Sequence, residues 1–402
     1  MAQFFIARQP IYDRDLKVLG YELLYRDSDV NEAHFSDPDR ASSDAILNSF
    51  IHIGIDTLTG SSLVFINLPH NFIVNHTLTP MFRDQCVLEV LEDVEATPAV
   101  LQGLERLSKQ GFKLALDDFE LSDKTRPLLR WAHYVKVDVL GKTRQELSAL
   151  LAELRHYPVQ LIAEKVETQD MKHLCETLGF DFFQGYFYCR PQLVMRKGVE
   201  ANKAVVFDLL SKLQQPDIGF EELERLLAHD VTLSYKLLRY INSAAFSLRR
   251  EVDSIKDAIV LLGIDNIKHW VSLILMTRMD DSKPRELITT ALVRARMCEQ
   301  IAIHWHPEVR HQMFIVGLFS VLDALMDQPM IELLDTIILT MPVKLALLEQ
   351  EGVAGEVYRL VLAYERMDLE ALEQTSLTEA EWATAYLEAV AWADQSMGEL
   401  AN

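Results

Sequence analysis

Residues 113–119 read KLALDDF, an apolar run that ends on two adjacent carboxylates, Asp117 and Asp118, and continues into ELSDK at 120–124. Two like charges side by side repel unless a turn, a base or a cation relieves them. The run before them is apolar at nearly every position, which marks a strand buried on both faces. The same layout recurs in LVFINL (63–68), CVLEVLE (86–92), YVKVDVL (134–140), QLIAEKV (160–166) and FFQGYF (182–187). Amphipathic stretches of helix length separate several of them, among them TPAVLQGLERLSKQG (97–111) and RQELSALLAELRHY (144–157). With FFIARQPIY (4–12) and KVLGYELLY (17–25) there are eight strand candidates, which suggests a (β/α) TIM-like barrel more than an open sheet. The first two runs are close enough to form an antiparallel hairpin.

Beyond this region the pattern changes to apolar residues at three- and four-residue spacing, as in FEELERLLAHD (220–230), LSYKLLRYINSAAF (233–246) and SIKDAIVLLG (254–263). That periodicity predicts an all-helical second half, with Gly263 and Pro307 where helices stop. A chain of 402 residues is long for one core, so the expectation is α/β plus all-α, with a barrel at 1–195 and a helical domain at 200–395. The formal charge of −21 argues against broad nucleic-acid or anionic-membrane binding, which needs a positive field. Four scattered cysteines, Cys86, Cys175, Cys189 and Cys298, fit neither a disulfide framework nor a zinc knuckle. No signal-peptide layout opens the chain, and no apolar run reaches the ~18 residues of a membrane span. A cytoplasmic protein is expected.

Chemistry in such a barrel gathers at the carboxyl ends of the strands. There the sequence places Glu22, Asn67, Glu89, Glu92, Asp117, Asp118, Lys136, Asp138, Glu164, Glu167 and Gln184. So much negative charge calls for a cation, and oxygen donors without His or Cys select Mg²⁺ or Mn²⁺. Two such ions could activate water and stabilise a leaving oxygen in phosphodiester hydrolysis, with a lysine nearby for the phosphoryl charge. Solvated strand ends are the competing reading. Asp138 reads more simply as a residue that caps or bonds a loop.

These residues also carry a resemblance. QPIYDRDLKVLGYELLYR (9–26), FINLP, LEVLE, LALDDF, VKVD, AEKVET and FQGYFYCRP follow the order and spacing of the EAL family of cyclic di-GMP phosphodiesterases. The resemblance implies that Glu22, Asn67, Glu89 and Asp117 hold one metal and that Asp118 serves the second. It implies that Glu164 is the general base, that Glu167 and Gln184 support the metals, and that Lys136 faces the attacking water or the phosphate. Gln9 and Arg26 match positions that touch the dinucleotide, although a salt bridge at the rim would also explain Arg26. The substrate implied is cyclic di-GMP, cut to linear pGpG.

Two departures stand out. Active members of the family follow the aspartate pair with a glycine-rich loop, whereas here FELSDKTRPLL has no glycine and needs a different backbone path. Glu92, the expected anchor of that loop, is retained. Lys165 stands where the family prefers glycine and could fill space or substitute its charge for a cation.

The second half is similar to the HDOD family, an all-helical relative of HD phosphohydrolases without their metal site. Where a His-Asp doublet would stand, GLFSVLDAL (317–325) has Ser320 and Val321. The literal pair His229–Asp230 reads as a helix end and the next helix's cap. His304, His306 and His311 read as an exposed loop, and Asn242 and Ser243 as support for a tight helix packing. Together the halves resemble EAL–HDOD signalling proteins of bacteria, in which motility and biofilm are the processes suggested. The expectation is a phosphodiesterase that is weak or partner-dependent; the alternative is an inactive cyclic di-GMP receptor or scaffold. In either case the helical half would bind a protein partner.

Overall fold

The computed structural model describes residues 4–27, 59–75, 83–189, 201–215, 218–228, 231–242, 252, 254–277, 283–372 and 375–401. Its contacts divide the chain into compact units Met1–Tyr188 and Cys189–Asn402. In the first, eight strands close into a barrel in sequence order. They are β1 (Phe4–Tyr12), β2 (Val18–Asp27), β3 (Leu63–Leu68), β4 (Cys86–Val90), β5 (Lys113–Leu116), β6 (Tyr134–Asp138), β7 (Gln160–Glu164) and β8 (Phe182–Gln184). The expected hairpin is there: β1 is antiparallel to β2 and closes the barrel antiparallel to β8. All pairings from β2 to β8 are parallel. Strands end earlier than their apolar runs because CVLEVLE, KLALDDF and QLIAEKV each carry turn residues past the last ladder bond.

The helices outside the barrel have local causes. Thr97 caps the helix Pro98–Lys109 through Val100 N–H, and proline takes the first helical position, where no N–H is needed. Thr143 and Glu146 form a reciprocal capping box on Arg144–Leu154. Gly179, at φ 95°, ends Gln169–Leu178 in the left-handed conformation. Inside the barrel Ile11, Phe65, Val87, Ala115, Tyr134 and Ile162 form one buried apolar cluster. This layer is the floor on which the polar mouth stands.

In the second unit every described element is helical. Helix Ile255–Leu262 stops at Gly263, and Arg285–Trp305 stops two residues before Pro307, as the sequence predicts. Arg285–Trp305 is buried around most of its circumference and packs on Arg310–Phe319 and Glu379–Ala401. A Cβ on Gly317 would lie 2.4 Å from the Ala295 backbone, so only glycine lets the first two of these helices come this close.

Candidate active site at the barrel mouth

Side chains of a strand alternate between faces, so a residue two positions beyond a core residue sits one layer higher on the same face. From the apolar floor this rule carries Phe65 to Asn67, Val87 to Glu89, Ala115 to Asp117, Tyr134 to Lys136, Ile162 to Glu164, and Phe182 to Gln184. On antiparallel β1 the count runs backwards, from Ile11 to Gln9, which pairs with Glu22 across the hairpin. Leu23, next to Glu22, faces the other way and is buried. The mouth is therefore a polar ring supplied by all eight strands.

Its centre is the Lys136 ammonium, which is fully buried. Nζ lies 2.9 Å from Glu22 Oε2, 2.8 Å from Glu89 Oε1, 2.7 Å from Asp117 Oδ1 and 2.9 Å from Glu164 Oε1. Burial would lower the lysine pKa, but the four carboxylates outweigh it and hold the ammonium well above its ordinary value. Lys136, expected beside the attacking water or phosphate, is enclosed by four acids. Gln184 ties in the hairpin, donating from Nε2 to Glu22 Oε2 at 2.6 Å and to Gln9 Oε1 at 3.0 Å. Gly185 follows at φ 145°, and a Cβ there would lie 2.2 Å from Val166 O, so glycine is needed where β8 leaves the mouth.

One ammonium does not satisfy four acids. It has three N–H donors, and its single charge cannot balance four ionised carboxylates. Burial pushes Glu89 well above the usual carboxyl range, and pushes Glu164 up to about 8 although Lys136 pulls it down. Buried acceptors remain without a hydrogen-bond partner: Asn67 Oδ1, Glu89 Oε2, Asp118 Oδ1, Glu164 Oε2 and Gln184 Oε1. Such orphans are costly in a folded interior, and oxygen donors are the kind a hard divalent cation takes. Among the described residues no three acids stand arranged around an empty cation position. The physical reason is that the carboxylates converge on Nζ, so an ion must use the oxygens that Lys136 leaves over.

The second aspartate has a different neighbour. Lys165 Nζ lies 3.2 Å from Asp118 Oδ2 and 2.7 Å from Asp138 Oδ2. Asp138 also accepts Leu140 N–H at 2.8 Å, which is the loop-bonding role predicted for it. Both ends of the bridge have left-handed backbone, φ 40° at Asp118 and 55° at Lys165. The glycine-free loop after them needs no such conformation: none of residues 119–125 has positive φ. Phe119 N–H donates to Lys136 O at 2.9 Å. Thr125 Oγ1 donates to Glu120 O at 2.6 Å and accepts Ser122 N–H at 3.0 Å. The loop's ionic tie is Lys124 to Glu95 at 2.6 Å. Glu92, expected as the anchor, is exposed and has no hydrogen bond or ion pair among the described residues. Glu95 was missed by the sequence reading because its partner lies 29 positions away, with no spacing rule to connect them. Glu167 is half-buried in the turn after β7. Arg26 pairs with Phe5 on β1, but its side chain lies outside the described residues.

A family model described as EAL domain matches residues 44–191, and one described as HDOD domain matches 201–331. The cyclic di-GMP phosphodiesterase CdgJ of Vibrio cholerae is 35% identical over 379 residues, covering 93% of this chain and 87% of that protein. The chain belongs to the EAL–HDOD family. The Bacillus subtilis protein YuxH is 31% identical over 403 residues, 98% of each chain. A structure of Klebsiella pneumoniae BlrP1 with manganese and cyclic di-GMP aligns over 46% of this chain and 55% of that one, at 22% identity and TM-score 0.38. The EAL match begins after β1 and β2, yet these strands bring Gln9 and Glu22 to the EAL mouth.

In the HDOD half, a buried ion pair lies beside Ser320, which stands in the place of the His-Asp doublet. Arg294 donates from Nε to Glu365 Oε1 and from Nη2 to Oε2, both at 2.8 Å, and from Nη1 to Ser320 Oγ at 3.3 Å. A guanidinium thus supplies positive charge there. Asn242 clasps Val252, donating to its carbonyl at 2.9 Å and accepting its N–H at 2.8 Å. His306 contacts Glu308 at 3.2 Å. His229, Asp230 and Ser243, and the side chain of His311, lie outside the described residues. No helix among the described residues is long and apolar enough to cross a membrane.

Proposed function

We propose that the barrel mouth hydrolyses cyclic di-GMP to pGpG with Mg²⁺ or Mn²⁺. The observation that carries this is the set of buried oxygens left without partners around the Lys136 centre. Glu22, Asn67, Glu89 and Asp117, with Asp118 beside them, would hold the ions. A divalent ion bound there supplies a lowered water pKa and charge stabilisation at the phosphoryl oxygens.

The chain's own residues do the rest. Glu164, which burial pushes up to about 8 in the metal-free mouth, would be ionised by a divalent ion held beside it, and its unpartnered Oε2 could then take a proton from water. Lys136 is a positioning residue that gathers four strand ends into one geometry. Gln184 holds Glu22 and Gln9 in register. The HDOD half serves as a cytoplasmic protein-binding module that conditions the EAL site.

A second reading, a receptor that binds the dinucleotide without cutting it, is favoured by the Lys165 contact on Asp118. The test is pGpG formation by purified protein with Mn²⁺ or Mg²⁺, beside Glu22→Ala. Turnover abolished by the substitution supports the site. Equal turnover in both proteins overturns it, and saturable cyclic di-GMP binding without turnover selects the receptor.

A further inference from the structure

Two ammonium groups sit among the mouth's acids, and they differ in kind. Lys136 is buried at the centre of the ring, whereas Lys165 stands at the rim, its side chain 49% exposed. Lys165 reaches Asp118 and Asp138 from a left-handed backbone, φ 55°, that few side chains adopt. Asp118 is divided between two environments. Its Oδ2 faces the Lys165 ammonium, while its Oδ1 is buried and has no hydrogen-bond partner. Asp138 is likewise committed, with Oδ2 on Lys165 and Oδ1 on Leu140 N–H. An incoming cation therefore finds the inner oxygens of Asn67 and Glu89 open, but finds the outer aspartate pair already held by a tethered charge. At half exposure that charge holds its partners weakly enough to be displaced.

We propose that Lys165 is a tethered cation on the outer pair Asp118 and Asp138, so that the mouth binds one divalent ion tightly and a second only by displacing the ammonium. This rests on the reading of the mouth as a divalent-ion site. The consequence is a metal-sensitive switch: the doubly loaded state forms only at high ion concentration, or when something draws Lys165 away.

The test is Mn²⁺ titration of the full chain by calorimetry, with electron paramagnetic resonance at two equivalents. Wild type, Lys165→Gln, Lys165→Gly and Lys165→Arg are compared, each checked for folding by its thermal melt. The wild type should bind its second Mn²⁺ at least about tenfold more weakly than the first. Lys165→Gln and Lys165→Gly should tighten the second step about tenfold or more, change the first by less than about threefold, and give a spin-coupled manganese pair. Lys165→Arg keeps the charge and should behave as wild type. Two ions of equal affinity in the wild type would overturn the proposal. So would a second step that ignores the loss of the ammonium, or Lys165→Arg behaving as Lys165→Gln. Mn²⁺ binding insensitive to Lys165 sinks this inference alone, whereas no Mn²⁺ binding in any form sinks the phosphodiesterase reading with it.

Discussion

Lys136 organises the mouth by charge, since one buried ammonium on β6 holds β2, β4, β7 and the turn after β5. Removing it leaves buried carboxylates uncompensated, which costs about 3–5 kcal/mol. Lys136→Ala should lower the unfolding free energy by that order, measured by denaturant titration, with part of the loss restored by Mn²⁺. A stability unchanged without metal would contradict the four-way pairing. Glu164 gives a pH prediction whose sign follows from its raised pKa. The unfolded chain releases this proton near 4.5 and the folded chain near about 8, so the metal-free fold loses stability as pH rises across that window. A charged Glu164 beside the ion favours its binding, so Mn²⁺ affinity should climb with pH through about 8, by up to about tenfold per pH unit. Glu164→Gln should flatten that dependence; an equally steep profile in the variant would assign the proton elsewhere. The donor identities at this scale were legible in the sequence because two-residue alternation is a local rule. The alliances of each lysine were not, because Lys136 and Glu22 are 114 positions apart.

Among the elements, the turn into and out of each strand end decides how the ring is held. Gly185 lets β8 pass Val166 at a distance no side chain permits. Gly185→Ala should destabilise the fold by about 1–3 kcal/mol and weaken Mn²⁺ binding, because Gln184 would shift away from Glu22. A fully stable variant with unaltered Mn²⁺ binding would deny the close approach its role. The loop at 119–125 replaces glycine by hydrogen bonds between Glu120, Ser122 and Thr125 and by the Lys124–Glu95 pair. Thr125→Val should cost about 1–2 kcal/mol, read in a thermal melt, since it removes the hydroxyl that closes the loop. The missing glycines were plain in the sequence. That the new path avoids positive φ, and anchors at Glu95 while Glu92 stays exposed, depends on how the helix Pro98–Lys109 starts beside it.

At the scale of the whole molecule, the chain joins a barrel with a ring of buried carboxylates at its mouth to a helical half with a buried Arg294–Glu365 pair beside Ser320. Arg294→Ala strands Glu365 in the helical interior and should lower that unit's stability by about 3–5 kcal/mol. Calorimetry with and without Mn²⁺ separates the units: the ion should raise the barrel's transition, and Arg294→Ala should lower the other. One transition that moves equally under both changes would contradict two cooperative units. The order of the units, the strand ends with their oxygen donors, and the loss of the His-Asp doublet were written in residue type and spacing, because periodicity and motifs are local properties. Only the tertiary structure decided that Lys136 takes four of the acids and Lys165 the outer two aspartates. The reason is geometric: closing the barrel brings strands distant in sequence to one axis, and the stagger between them sets which oxygen each ammonium meets.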